Sequence, residues 1–407
     1  MYSIVQEKPQ ENKVFVKNGN EYYYSTYMTR CLLKMIGTWP LDGNVSTFER
    51  ISHQFIKVLY CCILLFFFLP TLQYVIFISK GLRSRTRICA MLFTNFTNFF
   101  KYILLMKYNN EIKLCLWQTK EDWKNILLQQ DYESMISRGK LGRYWTLFSI
   151  LLTYIGIFMN RMILPLVKGK RIVNNVTIRP LPCPTYFRIF DEQKSPAYEI
   201  VFFNHVLSAY IIYTISATVF ALTIYFILHA CGQLEILIRK MRDIETMNLD
   251  VGNADELILE AILHQAKTRS FIKKVAEIVQ YMCLAEVAGC VFCICISLHS
   301  LAMEINSMIS IVTHTIIMVT FTYNLFILCY IGELLADQNL KVHLMSRTLD
   351  WHNLPLKSVR NLLLVILASN DAPKLVAGKV MDLTLSNFTS VFKSAVGYFN
   401  ILRSSTL

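Results

Sequence analysis

The chain has 407 residues, of which 54% are hydrophobic and only 17% are charged, and its formal net charge at pH 7 is +13. Its mean hydropathy is +0.40, and a composition this apolar excludes a soluble globular protein. We therefore expect a protein that resides in a lipid bilayer.

The first 57 residues contain no apolar core behind a basic start, so they lack the pattern of a cleavable secretory signal. We expect residues 1–57 to form a cytoplasmic amino-terminal segment. Membrane insertion is then expected to begin with the apolar stretch that follows.

Seven apolar stretches come next, and each reaches or approaches the roughly 20 residues that an α-helix needs to cross a bilayer. Three of them contain no Asp, Glu, Lys or Arg, namely residues 58–79, 200–228 and 305–332. Three more do contain such residues, namely 88–106 with Lys101, 144–167 with Arg161, and 275–303 with Glu277 and Glu286. The seventh stretch is residues 383–402. The predicted fold is an all-α membrane protein with seven transmembrane helices.

Some of these stretches carry polar groups in a region where lipid offers no water. We expect Glu286 to contact the interior of the bundle, with Lys393 as a candidate partner for its carboxylate. The last stretch contains Lys393, Asn387, Asn400 and repeated Ser and Thr. A spanning helix this polar must turn those groups toward protein or toward an aqueous path. It is therefore the predicted wall of a pore.

An odd number of spans places the two termini on opposite sides of the membrane, and the distribution of Lys and Arg indicates which side is cytoplasmic. With the amino terminus inside, the inner segments hold more Lys and Arg than the outer segments. The inner segments are also longer, and the outer side includes the basic run Lys80, Arg83, Arg85 and Arg87. The number of charges therefore favours a cytoplasmic amino terminus, whereas their density does not.

The connecting segments predict structure outside the bilayer. Residues 256–272 have apolar side chains at the spacing of an amphipathic helix, so the spans are expected to continue as helices below the membrane. The apolar run 362–367 is too short to span, and it predicts a buried packing helix in a cytoplasmic assembly domain. Pro180, Pro182, Pro184 and Pro196 exclude a continuous helix within residues 165–199, and the segment suits a lid over an outer cavity.

Motifs for enzyme chemistry are missing from the sequence. It has no glycine-rich phosphate loop, no His-Glu-x-x-His motif and no Gly-x-Ser-x-Gly nucleophile elbow. The cysteines of residues 290–295 superficially resemble a metal or redox motif, but they lie among Val, Phe and Ile in a predicted span, where thiols pack as small apolar groups. His205, His299 and His314 come from different spans, and each is expected to be a satisfied polar group or part of a pocket wall. We predict no enzyme activity, no cofactor and no metal.

Aromatic residues at helical spacing on the outer halves of the spans point to a ligand. They share faces with Thr and Met residues, and together these side chains are able to line an apolar cavity, although ordinary packing of a bundle gives the same spacing. Such walls suit a small, mostly hydrophobic molecule held by shape and dispersion. The candidate ligand-binding residues are Phe96, Tyr154, Phe158, Phe203, Leu207, Tyr210, Thr315, Met318 and Thr322.

The final third of the chain contains a series of motifs. They begin with Leu328-Cys-Tyr-Ile-Gly-Glu-Leu-Leu-Ala-Asp-Gln-Asn, Leu349-Asp-Trp-His-Asn-Leu-Pro-Leu and Arg360-Asn-Leu-Leu-Leu-Val-Ile. They continue with Pro373-Lys-Leu-Val-Ala-Gly-Lys-Val-Met-Asp-Leu-Thr-Leu-Ser-Asn-Phe and Phe392-Lys-Ser-Ala-Val-Gly-Tyr-Phe-Asn-Ile-Leu-Arg. In order and spacing these motifs resemble the insect odorant receptor family. The segment Ile36-Gly-Thr-Trp-Pro-Leu supports the resemblance.

That resemblance implies a seven-helix subunit of a tetrameric cation channel, with a cytoplasmic amino terminus and an outward carboxyl terminus. An odorant-tuning member of that family assembles with the shared odorant receptor co-receptor, which implies a heterotetramer, a small volatile hydrophobic ligand, contact with membrane lipid and no nucleic-acid partner. Residues 58–330 would hold the first six helices and the pocket, and residues 331–379 the cytoplasmic anchor. Residues 380–407 would form the pore-lining helix and the extracellular tail. The implied location is the plasma membrane of olfactory sensory neurons.

The resemblance also assigns the pore. The family's constriction lies in its closing hydrophobic turns, which here match Tyr398, Phe399, Ile401 and Leu402, with Ile401 as the pore-facing apolar residue. Arg403 then departs from the apolar ending of the co-receptor, which fits a tuning subunit because an Arg in every subunit would place a ring of positive charge at a cation exit. The implied pore residues are Lys393, Tyr398, Ile401, Leu402 and Ser405.

Three alternatives remain at this point. A gustatory receptor of the same superfamily would carry a different closing signature, which we do not find. A G-protein-coupled receptor would have an outer amino terminus and an inner tail, and a transporter would show inverted repeats or broken paired helices. In the predicted topology Asn175 lies in the outer loop as a candidate glycosylation site, whereas a sugar on Asn44 would reverse the topology.

Overall fold

The structure is a computed structural model that describes residues 20–41, 46–79, 82–169, 171–173, 176–188, 190–246, 251–303, 307–348, 356–370 and 373–404. Within these residues the chain is almost entirely helical. The helices are α1 (Glu21–Met35), α2 (Thr47–Phe77), α3 (Leu82–Lys107), α4 (Asn109–Lys124), α5 (Gln129–Phe158), α6 (Leu164–Lys168), α7 (Ala197–Thr246), α8 (Val251–Met303), α9 (Met308–Thr348), α10 (Leu356–Asn370) and α11 (Leu385–Ser404). Two short antiparallel hairpins complete the described fold, one of β1 (Arg171–Val173) with β2 (Val176–Ile178) and one of β3 (Val376–Ala377) with β4 (Met381–Asp382).

Six of the described helical segments are long and apolar enough to cross a membrane. They are Thr47–Phe77, Ile88–Lys107, Gln129–Val167, Ala197–Ile244, Asp255–Met303 and Met308–Thr348. These segments contain or closely match the first six predicted spans, apart from residues 305 and 306, which lie outside the described residues. The seventh predicted stretch corresponds to α11, whose 20 residues are enough to span but whose polar side chains keep it outside that apolar group.

The helices α7, α8 and α9 have 50, 53 and 41 residues, respectively. At about 1.5 Å per residue each is far longer than the roughly 30 Å thickness of the hydrocarbon core. They therefore continue as rods beyond one side of the membrane, as the amphipathic pattern of residues 256–272 predicted. The third and fifth helices, α3 and α5, are joined there by α4.

The helix α7 lies at the centre of the bundle, and 94% of its most apolar 18-residue stretch is buried. Close packing around it depends on glycines, because helix association within lipid is driven by contact between surfaces and not by expulsion of water. Gly142 of α5 lies against Ile224 and Leu228 of α7, and Gly232 of α7 lies against Met135 of α5. An added methyl group would require the Met135 side chain to move at Gly232 and would press on the Leu228 side chain at Gly142.

Buried charges tie the helical extensions together. Asp122 of α4 lies 3.0 Å from Nε2 of His229 on α7 and 2.5 Å from Nζ of Lys267 on α8. Burial alone would raise the pKa of this carboxyl, but the hydrogen bonds and charges of His229 and Lys267 outweigh it, so the pKa lies below its usual value. The carboxylate thus stays ionised and holds three helices at one point.

The segment between α6 and α7 lies against the opposite end of the bundle. Its backbone follows the prediction from its prolines, because the described part contains the β1–β2 hairpin and no helix beyond Lys168. The Tyr186 amide donates to the Pro70 carbonyl of α2 at 3.1 Å, and Nη1 of Arg161 donates to the Pro182 carbonyl at 3.5 Å. Cys183 of this segment is fully buried. Its role as a lid remains a prediction.

The apolar run at residues 362–367 lies within α10, so the short helix predicted there is present. Gln265 of α8 donates to the Ser369 hydroxyl at 2.8 Å and to the Val365 carbonyl at 3.2 Å, so one face of α10 is held against α8. The other face is not buried within the chain, because the side chains of Leu363, Leu364 and Leu367 are exposed. Burial of this face in a cytoplasmic assembly stays a prediction.

Candidate functional site

A cavity lies inside the membrane-spanning part of the bundle, where α5, α7 and α9 meet. It contains about 350 Å³ of empty space, part of which opens to the surface. The lining residues are Thr153, Gly156 and Ile157 of α5, Tyr213 and Ser216 of α7, and Ile317, Thr320, Phe321 and Asn324 of α9. A mostly apolar wall with a few polar groups is typical of sites for small molecules.

The polar groups of this cavity differ in their hydrogen bonding. The Ser149 hydroxyl donates to Oδ1 of Asn324 at 2.7 Å, and the Thr320 hydroxyl donates to the Ile316 carbonyl of its own helix at 2.7 Å. The hydroxyls of Tyr213 and Thr153 and the amide nitrogen of Asn324 make no hydrogen bond within the described part of the chain. These groups are available to a bound molecule.

One group of the predicted ligand-binding residues lies beside this cavity. The Tyr154 hydroxyl is 2.8 Å from Oγ1 of Thr214, and the rings of Tyr154 and Tyr210 are 5.4 Å apart. Leu207 of α7 and Met318 and Thr322 of α9 are half-buried. The structure thus brings α5 and α7 together through the predicted aromatic pair.

A second group faces away from the bundle of this chain. The side chains of Phe96, Phe158 and Phe203 are 57%, 52% and 67% exposed, respectively, and Thr315 is also exposed. In a membrane such a surface meets lipid or another subunit. The predicted set is therefore divided between the cavity region and the outer surface of the bundle.

Sequence reasoning did not identify the nine lining residues. Thr153, Gly156 and Ile157 repeat at i, i+3 and i+4, as do Ile317, Thr320, Phe321 and Asn324. These stripes are rotated by about one position from the predicted ones, and the apolar runs themselves do not fix that rotation. The available signal was the presence of Gly, Thr and Asn within the runs, since polar groups in lipid turn toward protein or a cavity.

A buried ion pair stands behind the cavity wall. Nζ of Lys101 on α3 contacts Oε2 of Glu286 on α8, and both residues are only 2% exposed. The Ser216 hydroxyl, which also lines the cavity, donates to Glu286 at 2.9 Å, and Lys101 also donates to Asn98 at 3.1 Å. The suggested pairing of Glu286 with Lys393 is therefore corrected, because the partner is Lys101.

The last helix, α11, contacts its own bundle along one side only. Phe388 packs its ring 5.5 Å from that of Phe326 on α9, and Ala395 is the one residue of α11 that is buried. The Leu385 amide donates to Glu333 of α9 at 3.2 Å, which fixes the start of α11. The opposite face is exposed and largely polar, and its residues are Ser386, Thr389, Ser390, Lys393, Ser394, Gly397, Tyr398, Asn400, Ile401 and Ser404.

The predicted pore residues divide between these two sides. Lys393, Tyr398 and Ile401 lie on the exposed face, whereas Leu402 is half-buried. Ser405 and Asn175 lie outside the described residues.

The histidine and cysteine predictions have different outcomes. His205 is buried, and neither ring nitrogen has a hydrogen-bond partner in the described part of the chain, which disagrees with the first of the two expectations, a satisfied polar group, and leaves the second, part of a pocket wall, as a prediction. Its ring instead stands edge-on to Phe67, with centroids 5.2 Å apart. Cys290 and Cys293 are buried among apolar residues of α8, as predicted.

Comparison with known proteins agrees with this architecture. A family model described as the 7tm odorant receptor matches residues 86–396. Odorant receptor 82a of Drosophila melanogaster is 24% identical over 228 residues, which cover 56% of this chain and only 58% of that receptor.

Two solved structures of the insect olfactory receptor OR5 from Machilis hrabei have the same fold. The complex with eugenol gives a TM-score of 0.79 at 12% identity and covers 95% of this chain and 100% of that one. The other OR5 structure gives 0.76 at 12% identity and covers 94% of this chain and 99% of that one. The family model covers well over half of the chain, and the helical architecture matches, so this protein belongs to the 7tm odorant receptor family.

Proposed function

We propose that this protein is the odorant-binding subunit of a ligand-gated, non-selective cation channel that it forms as a heterotetramer with co-receptor subunits. The observation that carries the channel role is the polar face of α11, which points away from its own bundle. In lipid that face would leave Lys393 and a row of hydroxyls without water. An aqueous axis shared between subunits removes this cost, with Lys393, Tyr398, Ile401, Leu402 and Ser405 along it.

The exposed apolar surface beyond the membrane also favours assembly. Leu363, Leu364 and Leu367 of α10 form a ridge on the part of the chain that extends past the spans. Leucines grouped on an exposed face are typical of a subunit interface. We assign residues 331–379 to an anchor that holds the subunits together, on the cytoplasmic side with the amino terminus.

Odorant binding is assigned to the cavity between α5, α7 and α9. Its mostly apolar wall with a few polar groups suits a small volatile molecule. Tyr154, Leu207, Tyr210, Met318 and Thr322 would complete this site from the neighbouring turns. Phe96, Phe158, Phe203 and Thr315 remain proposed ligand contacts at the outer surface, where a molecule arriving through lipid would first meet the bundle. One of the related OR5 structures is a complex with eugenol.

Coupling between the cavity and the pore would run through α9. This helix lines the cavity with Thr320, Phe321 and Asn324 and then contacts the start of α11 through Phe326 and Glu333. A ligand opens the channel only if it binds the open arrangement more tightly than the closed one. A shift of α9 on ligand binding would move α11 outward and widen the constriction near Ile401.

The proposed location is the plasma membrane of olfactory sensory neurons, with a cytoplasmic amino terminus. In that topology Asn175 lies outside the cell and is a proposed glycosylation site, and the partners are lipid, odorant and co-receptor subunits but no nucleic acid. Recording currents evoked by a broad panel of volatiles tests the function. Cells that express this chain with the co-receptor should respond, whereas cells that express only the co-receptor should not respond to the same volatiles. Equal responses in both would reject an odorant-binding role.

A further inference from the structure

A second cavity lies at the end of the bundle that carries α1, and none of its lining residues lines the proposed odorant site. Its empty space of about 410 Å³ includes space that is open to solvent, and its lining side chains come from α1, α4, α5 and α7. Those that matter chemically are Ser25, Trp123, Arg138, Arg143 and His229. No Asp or Glu is among its lining residues.

This cavity is placed at the boundary of the membrane. On α7 the predicted apolar stretch ends at Leu228, His229 is the next residue, and the first Asp, Glu, Lys or Arg is Glu235. On α5 the charged residues Arg138, Lys140 and Arg143 come directly before the apolar stretch that begins at Tyr144. Both helices therefore leave the hydrocarbon core at the level of the cavity, where lipid headgroups lie.

The side chains of α1 fit the same location. Tyr23, Tyr24 and Tyr27 are 46%, 40% and 53% exposed, respectively, and aromatic rings of this kind are enriched at headgroup depth. The Arg143 guanidinium stacks 3.9 Å above the Tyr24 ring and donates to the Tyr24 carbonyl at 3.5 Å. It makes no ion pair within the described residues. Its remaining N–H groups are thus free to bind an anion from the membrane.

Two buried donors in the cavity wall lack partners. Nε1 of Trp123 and Oγ of Ser25 are both buried, and neither makes a hydrogen bond within the described part of the chain. An indole N–H is able only to donate, and a buried donor left unpaired is destabilising. Such donors are usually paired in a native protein, so their acceptor is either a water molecule or a group of a bound molecule.

The charges around the cavity leave a net positive site. Arg138 is paired with Glu235 of α7, and Asp122, which faces His229, is also paired with Lys267. Glu235 balances the charge of Arg138, and Lys267 balances the charge of Asp122. Arg143 is then the lining charge that has no ionic partner among the described residues. From these observations we propose that the cavity binds the phosphate group of an anionic phospholipid from the leaflet on the α1 side, with Arg143, Trp123 and Ser25 as donors.

Such a lipid would hold α1 against the rest of the bundle. Ser25 of α1 packs directly on Gly139 of α5, and Thr29 donates to the Ala221 carbonyl of α7 at 3.4 Å. Leu32 of α1 is also buried, in a cluster with Ala217 and Ala221 of α7. A phosphate bridging Ser25 and Arg143 would add charge-assisted hydrogen bonds between α1 and α5.

Binding of fluorescent phosphatidic acid to the purified full-length receptor, assembled with its co-receptor, tests the proposal. Arg143→Gln and Trp123→Phe should each weaken the affinity about tenfold, because each removes donors to a charged acceptor. Trp123→Phe keeps an aromatic ring in place, so it still tests the proposal if the Arg143→Gln variant does not fold. The matched controls are Lys140→Gln, one turn away on α5, and Trp117→Phe, whose ring is exposed on α4.

The controls should stay within about twofold of the parent, since neither side chain lines the cavity. Affinities that fall equally in Lys140→Gln and Arg143→Gln would mean only general attraction to basic surface, and would overturn the proposal. Unlabelled phosphatidylcholine should fail to compete. Glycerol 3-phosphate carries the same phosphate without the lipid tails and should compete weakly. Competition by it as strong as by phosphatidic acid would reject a membrane source.

Discussion

The pair of Lys101 and Glu286 shows how single residues are stabilised within the membrane. Each is 2% exposed, and Asn98 and Ser216 supply further hydrogen bonds. Removing one charge leaves the other buried without compensation, which typically costs about 3–5 kcal/mol, whereas replacing both with apolar residues is often nearly neutral. We predict that Glu286→Gln sharply lowers the melting temperature of the purified receptor.

The double variant Lys101→Leu with Glu286→Leu is the control for that prediction. It should recover most of the lost stability, because neither charge remains to be solvated. A double variant as unstable as Glu286→Gln alone would show that the ion pair is not the reason for the loss.

Gly156 permits a second test at the same scale, this time of the odorant cavity. An added Cβ there would meet Ile316 at 3.7 Å and Ile317 at 4.0 Å, which are ordinary contacts, so Gly156→Ala should fold normally. The methyl group would take up space in the cavity, and one methyl in an apolar pocket changes affinity about tenfold. We expect dose–response curves for the largest active volatiles to shift to higher concentration by that factor.

The matched control is Gly289→Ala on α8, where the added Cβ would meet only Oγ1 of Thr97 at 3.8 Å and would not line the cavity. Unchanged dose–response curves are expected for it. If Gly156→Ala also leaves every curve unchanged, the cavity between α5, α7 and α9 is not the odorant site.

Residue-level prediction from sequence identified the helices of the site but not their faces. Tyr154 and Tyr210 were predicted and do form a ring contact, whereas Phe158 and Phe203 point away from the bundle. A helix that is apolar all round gives no periodic signal to set its rotation, because lipid and protein interior are equally apolar. For the same reason Lys101, the true partner of Glu286, was not distinguishable from Lys393.

At the scale of elements, the contact between α9 and α11 depends on Gly332. An added Cβ at this position would overlap the carbonyl oxygen of Leu383, which precedes α11. Backbone atoms cannot move aside as a flexible side chain does, so Gly332→Ala must displace the start of α11 from α9. We predict a loss of stability of about 1–3 kcal/mol or more, as for other overpacked sites.

The measurement for Gly332→Ala is the amount of assembled receptor at the cell surface, together with the melting temperature. Gly289→Ala again serves as the control, since it adds the same methyl group in a spanning helix where there is room. Normal surface levels and normal odorant currents in Gly332→Ala would contradict a tight junction between α9 and α11.

Element boundaries followed from the sequence where length and hydropathy decide them. The six most apolar segments were predicted because a bilayer demands about 20 apolar residues in each. The helix α1 was not predicted, since it is short and polar and is held by tertiary contacts such as the hydrogen bond from Thr29 to the Ala221 carbonyl of α7. The two-residue strands β3 and β4 were likewise beyond prediction, because so short a pairing depends on the packing around it.

At the scale of the whole molecule, α11 has one side against its own bundle and one side without a partner. Its exposed side carries Ser390, Lys393 and Ser394, whereas Ala395 is buried against the bundle. In a tetramer that shares a central aqueous axis, the exposed side is wet and the buried side is not. For a single subunit surrounded by lipid, both sides of α11 would be dry, since no water reaches either of them.

Cysteine substitution on α11 distinguishes these two arrangements. We predict that Ser390→Cys and Ser394→Cys channels, opened by odorant in cells that also express the co-receptor, lose current irreversibly when a cationic thiol reagent is applied. Ala395→Cys should be unaffected, because its side chain faces the bundle. The parent chain, which keeps its exposed Cys62 and Cys89, measures the background reaction. Equal modification at residues 394 and 395, or none at 390 and 394, would place α11 away from the conduction path and remove the main support for a channel subunit.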